Sequence, residues 1–285
     1  MRAVAVSCFG VCEPIRALEA PSLVTAVTSL RRMGQYALVL DSGMTISPFQ
    51  TISEIASAAL GAVRTFEKYG IDYCCGGKRP VADACLELGL DPSAVLAELE
   101  QAIRGAPTEL TDWSSVSLRE LIRHILTTHH YYLKVELPQL RLRLQKVIRV
   151  YGAHDQERLG QLPDLLRGLT GELDMHMHKE ELILFPFIER LEDAVQTGSP
   201  IPLSPFGSLA NPIAMMESEH ESAGATLREM RAATKDYEAP FHACITYRSM
   251  LDGLRELEQD LHLHIHLENN ILFPRAMALE ALEPC

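Results

Sequence analysis

The chain writes one pattern of potential metal ligands twice, HMHKEELILFP from His176 to Pro186 and HIHLENNILFP from His264 to Pro274. In both copies a histidine precedes a glutamate by four residues, and Ile-Leu-Phe-Pro follows. Positions i and i+4 lie on one face of an α-helix, so His176 with Glu180 and His264 with Glu268 each present an imidazole beside a carboxylate. Two such pairs predict a binuclear metal site. The flanking histidines are removed by phase: His178, His262 and His266 stand two residues from the chosen ones, about 200° around the helix. A single His–Glu pair is most often a solvated helix face. Duplication inside the same apolar context is what sets this one apart.

The repeat extends upstream. His130 and His220 are separated by nearly the same interval as His176 and His264, so each half supplies one histidine on one helix and His-x-x-x-Glu on the next. His130 falls on the inward stripe between Leu126 and Leu133, with His129 one step off. One turn before each pair stand Glu172 and Asp260, predicted to orient the ligand imidazoles. Four histidines and two glutamates divided between two ions form a mixed nitrogen and oxygen set in which the carboxylates are able to bridge. That set suits iron, and less well manganese, better than structural zinc in a closed four-ligand shell.

The elements that must carry these residues are helical. An apolar stripe from Ile52 to Phe66 predicts a helix ending near Gly70, and the turn GIDYCCGGKRP uses Gly76 and Gly77 for positive φ. Asp91-Pro92 starts another helix, closed at Gly105-Ala106-Pro107. Ser117 to Glu120 reads as a capping box opening the helix that bears His130, with Pro138 kinking or ending it. Further helices are predicted at about 163–195, 213–234 and 241–282, with Thr197 to Pro212 as a crossover loop. No convincing alternating strand occurs from residue 50 onward, so the class is all-α. The expected organisation is an N-terminal extension over 1–47 without legible pattern, a small helical domain over 48–110, and a four-helix bundle over 115–285.

Composition limits the functions available. The formal net charge is -12 with 47% hydrophobic residues, which argues against nucleic acid or an anionic membrane as the main partner. Seven cysteines, two of them adjacent at Cys74 and Cys75, make no secreted disulfide framework, so a reducing cytoplasm is expected. No apolar run approaches the roughly 18 residues of a membrane span. Cys74 and Cys75 can join only through a strained ring, so no structural disulfide is expected there. Flanking glycines and Lys78 predict an exposed thiol of lowered pKa; the plainer reading is two small, half-buried turn residues.

With GIDYCCGGK at 70–78, MESEH at 216–220 and the two His-Glu motifs in view, the chain resembles the hemerythrin-like di-iron proteins. More narrowly it resembles the iron-sulfur cluster repair family known as RIC, YtfE or ScdA, over roughly residues 48–280. The resemblance implies an N-terminal domain of the ScdA type carrying the vicinal cysteines, followed by a hemerythrin-like bundle with a non-haem di-iron centre. It implies His130, His176, Glu180, His220, His264 and Glu268 as iron ligands, with both glutamates bridging and with Glu219 and Glu172 nearby. A seventh ligand is expected on the helix after His130, where the family has Val-His-Gly; here Val150-Tyr151-Gly152 offers Tyr151, with His154 as alternative.

The implied role is repair, in the cytoplasm, of iron-sulfur clusters damaged by nitric oxide or oxidative stress. Repair would proceed by iron supply or nitric oxide removal, with Cys74 and Cys75 in a redox or transfer role. The expected partners are damaged iron-sulfur proteins, with nitric oxide or dioxygen as small ligands and a homodimer as a compatible assembly. The alternatives are nitric oxide reduction at the same centre and a sensor or carrier of dioxygen or nitric oxide. Whether turnover is catalytic is left open by the residues.

Overall fold

Thr51 opens the first helix with a reciprocal cap: its side chain accepts from the Glu54 amide at 3.3 Å, while the Glu54 carboxylate accepts from the Thr51 amide at 2.9 Å. The computed structural model describes residues 46–59, 61–104 and 111–282. The N-terminal stretch with Cys8 and Cys12, and the expected helix stop at Gly105-Ala106-Pro107, lie outside the described residues. Four helices form the N-terminal set: α1 (Ile52–Ala58), α2 (Gly61–Tyr69), α3 (Val81–Glu87) and α4 (Pro92–Arg104). Among the described residues there is no strand, only a single bridge between Thr51 and Pro80.

The loop from α2 to α3 folds back on the start of α1. The Ser53 amide donates to the Gly77 carbonyl at 2.9 Å, and the Ile52 amide to the Arg79 carbonyl at 3.1 Å. This close approach is what requires Gly77: a Cβ there would stand 2.8 Å from the Tyr73 carbonyl oxygen and 3.0 Å from Ser53 Cβ. The expected positive φ at Gly76 and Gly77 is not found; the left-handed glycine is Gly70, which terminates α2.

The bundle follows as α5 (Leu118–His124), a π-turn over Ile125–His130, α6 (Tyr131–Tyr151), the short α7 (Gln156–Leu159), and α8 (Leu162–Lys179) with a π-turn over Glu180–Leu184. It continues through α9 (Phe185–Thr197), α10 (Ala210–Ala233), α11 (Ile245–Leu267) with a π-turn over Glu268–Leu272, and α12 (Phe273–Glu280). The bundle helices thus run close to the expected limits, whereas the single helix expected from Ile52 to Gly70 is broken at Ala59, whose backbone is extended. Pro138 is accommodated inside α6 and does not end it. The start of α5 differs from a full capping box: Ser117 Oγ accepts from the Glu120 amide, but the Leu118 and Arg119 amides are taken by buried Glu192 of α9 at 2.7 and 2.9 Å. An anion at this helix N-terminus also ties the two helices together.

Two apolar clusters fill the bundle. One is built from Leu133, Leu140, Leu169, Leu227, Leu254 and Leu257 among others, the second from Leu121, Ile125, Phe187, Met216, Ile271 and Phe273. The histidine and glutamate layer lies in the sequence segments between them. All three π-turns occur there, and each has a site residue at its edge: His130, Glu180 or Glu268.

Candidate metal centre

The two Ile-Leu-Phe-Pro segments explain why the helix widens where it does. The Phe185 and Phe273 amides reach back five residues to the Glu180 and Glu268 carbonyls, the hydrogen bond of a π-turn. The prolines that follow carry no amide hydrogen, so the regular ladder is already interrupted there. The extra residue in the turn keeps the glutamates inward while the chain continues into α9 and α12.

Four helical segments converge on one buried layer. His130, Glu180, His264 and Glu268 place one potential ligand atom each within 4.8 Å of one another, and so do His176, Glu180, His220 and Glu268. Glu180 and Glu268 belong to both groups. His130 Nε2 faces His264 Nε2 at 3.2 Å, and His220 Nε2 faces His176 Nε2 at 3.0 Å. His264 Nε2 lies 2.9 Å and His220 Nε2 3.1 Å from Glu268 oxygens, while Glu180 Oε2 lies 3.3 Å from His176 Nε2 and 3.4 Å from His130 Nε2.

These residues fit a bound cation. Both glutamates are wholly buried, and beyond the facing imidazole nitrogens neither oxygen of Glu180, nor Oε2 of Glu268, has a hydrogen-bond partner among the described residues. A buried carboxylate left in that state is costly unless a charge meets it. The facing nitrogens say more about the shell: two nitrogens bonded at about 2.1 Å stand about 3.0 Å apart across a right angle and about 3.4 Å apart across a tetrahedral one. The observed 3.0 Å matches the right angle and the observed 3.2 Å falls midway between the two. The mixed nitrogen and carboxylate donor set suits iron or manganese better than structural zinc.

The outer ring nitrogens are held by partners that spacing along one helix does not reveal. His176 Nδ1 pairs with Glu219 at 2.9 Å, His130 Nδ1 with Glu181 at 2.8 Å and His220 Nδ1 with Asn269 at 2.8 Å. Lys179 and Lys134 reach Glu219 and Glu181 in turn. Glu172 does not orient an imidazole. It is exposed, accepts from Ser222 Oγ at 3.4 Å, and lines a narrow opening of about 10 Å³ toward His176 and His220, room for a single water. Asp260 likewise pairs with His129 Nδ1, at 2.8 Å, and not with His264. In the repeat, His129 takes the position that Glu219 holds in the other half. Its ring stacks on His264 at 5.4 Å, and His264 Nδ1 has no partner among the described residues.

The seventh position is a correction. Tyr151 closes the 21-residue helix α6, which carries it about 30 Å beyond His130 at 1.5 Å per residue. Its hydroxyl donates to the His242 carbonyl at 3.4 Å and its ring packs against Tyr247. His154 lies one turn further on and is exposed. Neither reaches the centre. Tyr151→Phe is therefore expected to leave both metal content and the visible spectrum of the metal-loaded protein unchanged, as atomic analysis and absorption spectroscopy would show.

The charges depend on one another. Burial opposes a charged His176, but Glu180, Glu268 and Glu219 prevail and raise its pKa to about 9 when no cation is present. Burial would likewise raise Glu268, yet His264 and His220 hold it well below the usual carboxylate range. A metal needs the free Nε2 lone pair, so binding expels the His176 proton. Metal affinity should rise with pH up to about 9, with proton release measurable by calorimetry in buffers of different ionisation enthalpy. The metal-free fold responds oppositely: a raised histidine pKa adds stability below the unfolded value near 6.5, and that contribution is lost as pH climbs through about 9.

The vicinal cysteines form no disulfide, as expected, and lie closer to the plainer reading of half-buried turn residues than to an exposed thiol of lowered pKa. Both are free thiols, but Cys74 is buried and its pKa is pushed up by its contact with Cys75, by burial and by the Asp72 carboxylate. Lys78 is turned away to Glu217 of α10 at 3.2 Å. The loop meets the bundle through Asn269, whose Nδ2 donates to the Cys74 carbonyl at 3.2 Å, and through Asn270, which donates to the Tyr73 carbonyl at 3.1 Å.

A four-helix bundle with a buried histidine and glutamate layer defines a cation-binding protein of the hemerythrin class. The model of that class, described as the hemerythrin HHE cation binding domain, matches residues 121–276, and the ScdA_N model, a domain of unknown function, matches residues 49–103. Proteins named iron-sulfur cluster repair protein YtfE, from Citrobacter koseri, Escherichia coli O81 and Escherichia fergusonii, are each 40% identical over 232 residues. The match covers 81% of this chain and 98% of each relative. The chain belongs to the YtfE family of iron-sulfur cluster repair proteins.

Proposed function

We propose that the chain is a di-iron protein that restores iron-sulfur clusters damaged by nitric oxide or oxidative stress, acting on damaged iron-sulfur proteins in the cytoplasm. The observation that carries this reading is the pair of four-residue groups sharing Glu180 and Glu268, in a chain that matches nearly the whole length of relatives named for cluster repair. His130 and His264 would hold one ion, His176 and His220 the other, and the two glutamates would bridge. When bound, the irons supply exchangeable, redox-active metal chemistry in a histidine-rich shell.

The side chains around the centre do three things. Glu181, Glu219 and Asn269 hold the Nδ1 atoms of three histidines, which keeps their Nε2 lone pairs aimed inward. The apolar clusters on either side restrict water. The opening bordered by Glu172 and Glu219 leaves a narrow way in and sets acidic groups along it, which favours passage of a cation. Among the described residues no helix is long and apolar enough to cross a membrane.

The test pairs the iron-loaded chain, without air, with a purified iron-sulfur enzyme inactivated by nitric oxide. Recovery of that enzyme should exceed recovery with an equal amount of ferrous salt and should fall to the salt level with Glu268→Ala. Equal recovery with salt, wild type and variant would sink the proposal.

A further inference from the structure

The loop between α2 and α3 gathers a second set of ligand atoms, apart from the bundle centre. We propose that Asp72, Cys74 and Cys75 form a separate site for one thiophilic divalent cation, zinc or ferrous iron, opening on the cleft beside α10. One carboxylate oxygen and the two sulfurs lie within 4.8 Å of one another. The inference rests on this geometry and not on how the bundle centre is read.

The spacing is that of a coordination shell. Cys74 Sγ stands 3.7 Å from Cys75 Sγ and 3.4 Å from Asp72 Oδ1. A tetrahedral ion bonded to sulfur at about 2.3 Å and to carboxylate oxygen at about 2.0 Å has sulfur–sulfur edges of about 3.8 Å and sulfur–oxygen edges of about 3.5 Å. The two edges that meet at Cys74 Sγ match such an ion, and the third, from Cys75 Sγ to the Asp72 carboxylate, lies within 4.8 Å. The loop is also braced for it: Asp72 Oδ1 accepts from the Cys74 and Cys75 amides at 3.1 and 2.9 Å, and these bonds keep the carboxylate ionised and turned toward the sulfurs.

Three protein ligands leave a fourth position. It faces a cleft of about 460 Å³ lined by Glu217, Glu221 and Asn270 as well as by the two cysteines. A site completed from a cleft is suited to exchange of its ion, whereas a closed four-ligand site is structural. On binding, each thiol releases its proton to solvent as sulfur bonds the ion, water leaves the ion's shell, and no electron moves. Two thiolates and a carboxylate bring three negative charges, so the occupied site stays anionic. It is joined to the bundle through Asn269, which bonds the Cys74 carbonyl on one side and His220 on the other.

Cobalt(II) is the probe, titrated without air into the full-length chain. Bound at thiolates it produces an intense near-ultraviolet charge-transfer band, which histidine and carboxylate ligands of the bundle do not give. The expected result is one cobalt equivalent per chain in that band, displaced by zinc, absent in Cys75→Ser, weakened at least tenfold in Asp72→Asn and unchanged in Cys244→Ser. In the unmodified chain, zinc should also slow alkylation of Cys75 by iodoacetamide at least tenfold, a readout that needs no variant to fold. Absence of the band at saturating cobalt, its persistence in Cys75→Ser, or alkylation indifferent to zinc would overturn the proposal.

Discussion

Glu268→Ala is expected to reduce tightly held metal from two ions per chain to at most one, the largest single effect on the centre. Glu268 is shared by both ligand groups and lies against His220 and His264, so its removal opens a gap in each shell at once. Two divalent ions facing two carboxylates leave a formal excess of two positive charges, and losing one carboxylate raises it to three in a fully buried layer. Unpaired buried charge costs several kcal/mol. Glu181→Ala, which frees His130 Nδ1 and the exposed Lys134 but removes no ligand, should weaken metal binding about 10- to 100-fold and retain the two-ion stoichiometry when metal is in excess. Glu172→Gln, at the exposed mouth, should retain both ions. Metal analysis after dialysis against a weak chelator separates the three; a Glu268→Ala chain that keeps two ions would refute the shared role.

The second large effect is expected at Asn269, where two substitutions should divide what one side chain does. Its Oδ1 accepts from His220 and its Nδ2 donates to the Cys74 carbonyl. Asn269→Leu removes both contacts, so metal affinity should fall about 10- to 100-fold and the cysteine loop should loosen. Asn269→Asp keeps an oxygen for His220 but sets a carboxylate against the Cys74 carbonyl. That leaves the Cys74 carbonyl with only the longer bond from Asn270 Nδ2 at 3.4 Å and sets a negative oxygen beside it, at a cost of about 1–3 kcal/mol. Metal content should then hold while alkylation of Cys74 and Cys75 accelerates. Competition titration and mass spectrometry of the alkylated thiols read the two effects independently. If Asn269→Asp changes neither thiol reactivity nor thermal stability, the bond to Cys74 is not what anchors the loop.

This asymmetry arises where the two copies of the motif differ, most directly at Glu181 in the first and Asn269 in the second. Glu181 in the first copy can only accept, and it serves His130 alone with Lys134 behind it. Asn269 in the second can accept and donate together, and the small helical set docks on that half. An amide thus does for His220 what a carboxylate does for His130, and His220 receives the less basic support.

Much of the centre was legible in the amino-acid sequence, because helical phase is a local property. The i to i+4 spacing and its duplication selected His176, Glu180, His264 and Glu268, and the matched intervals added His130 and His220; those six are the residues that converge. The bundle helices were equally readable from apolar stripes and caps. Phase along one helix carries no information about what a neighbouring helix places opposite. For that reason Glu172 and Asp260, each correctly one turn from a ligand, proved to face Ser222 and His129, while Glu181, Glu219 and Asn269 reached across to do the orienting. Tyr151 failed on distance, since motif position said nothing of the 21-residue helix that separates it from the centre. Cys74 failed on burial and on the Cys75 and Asp72 groups folded against it, while the lysine nearby in sequence pairs with Glu217. The sequence by itself determined which side chains are chemically able to meet and on which helix faces. Only the tertiary structure decided their outer partners, through packing and charge between segments distant along the chain, and the π-turns that set the glutamates inward.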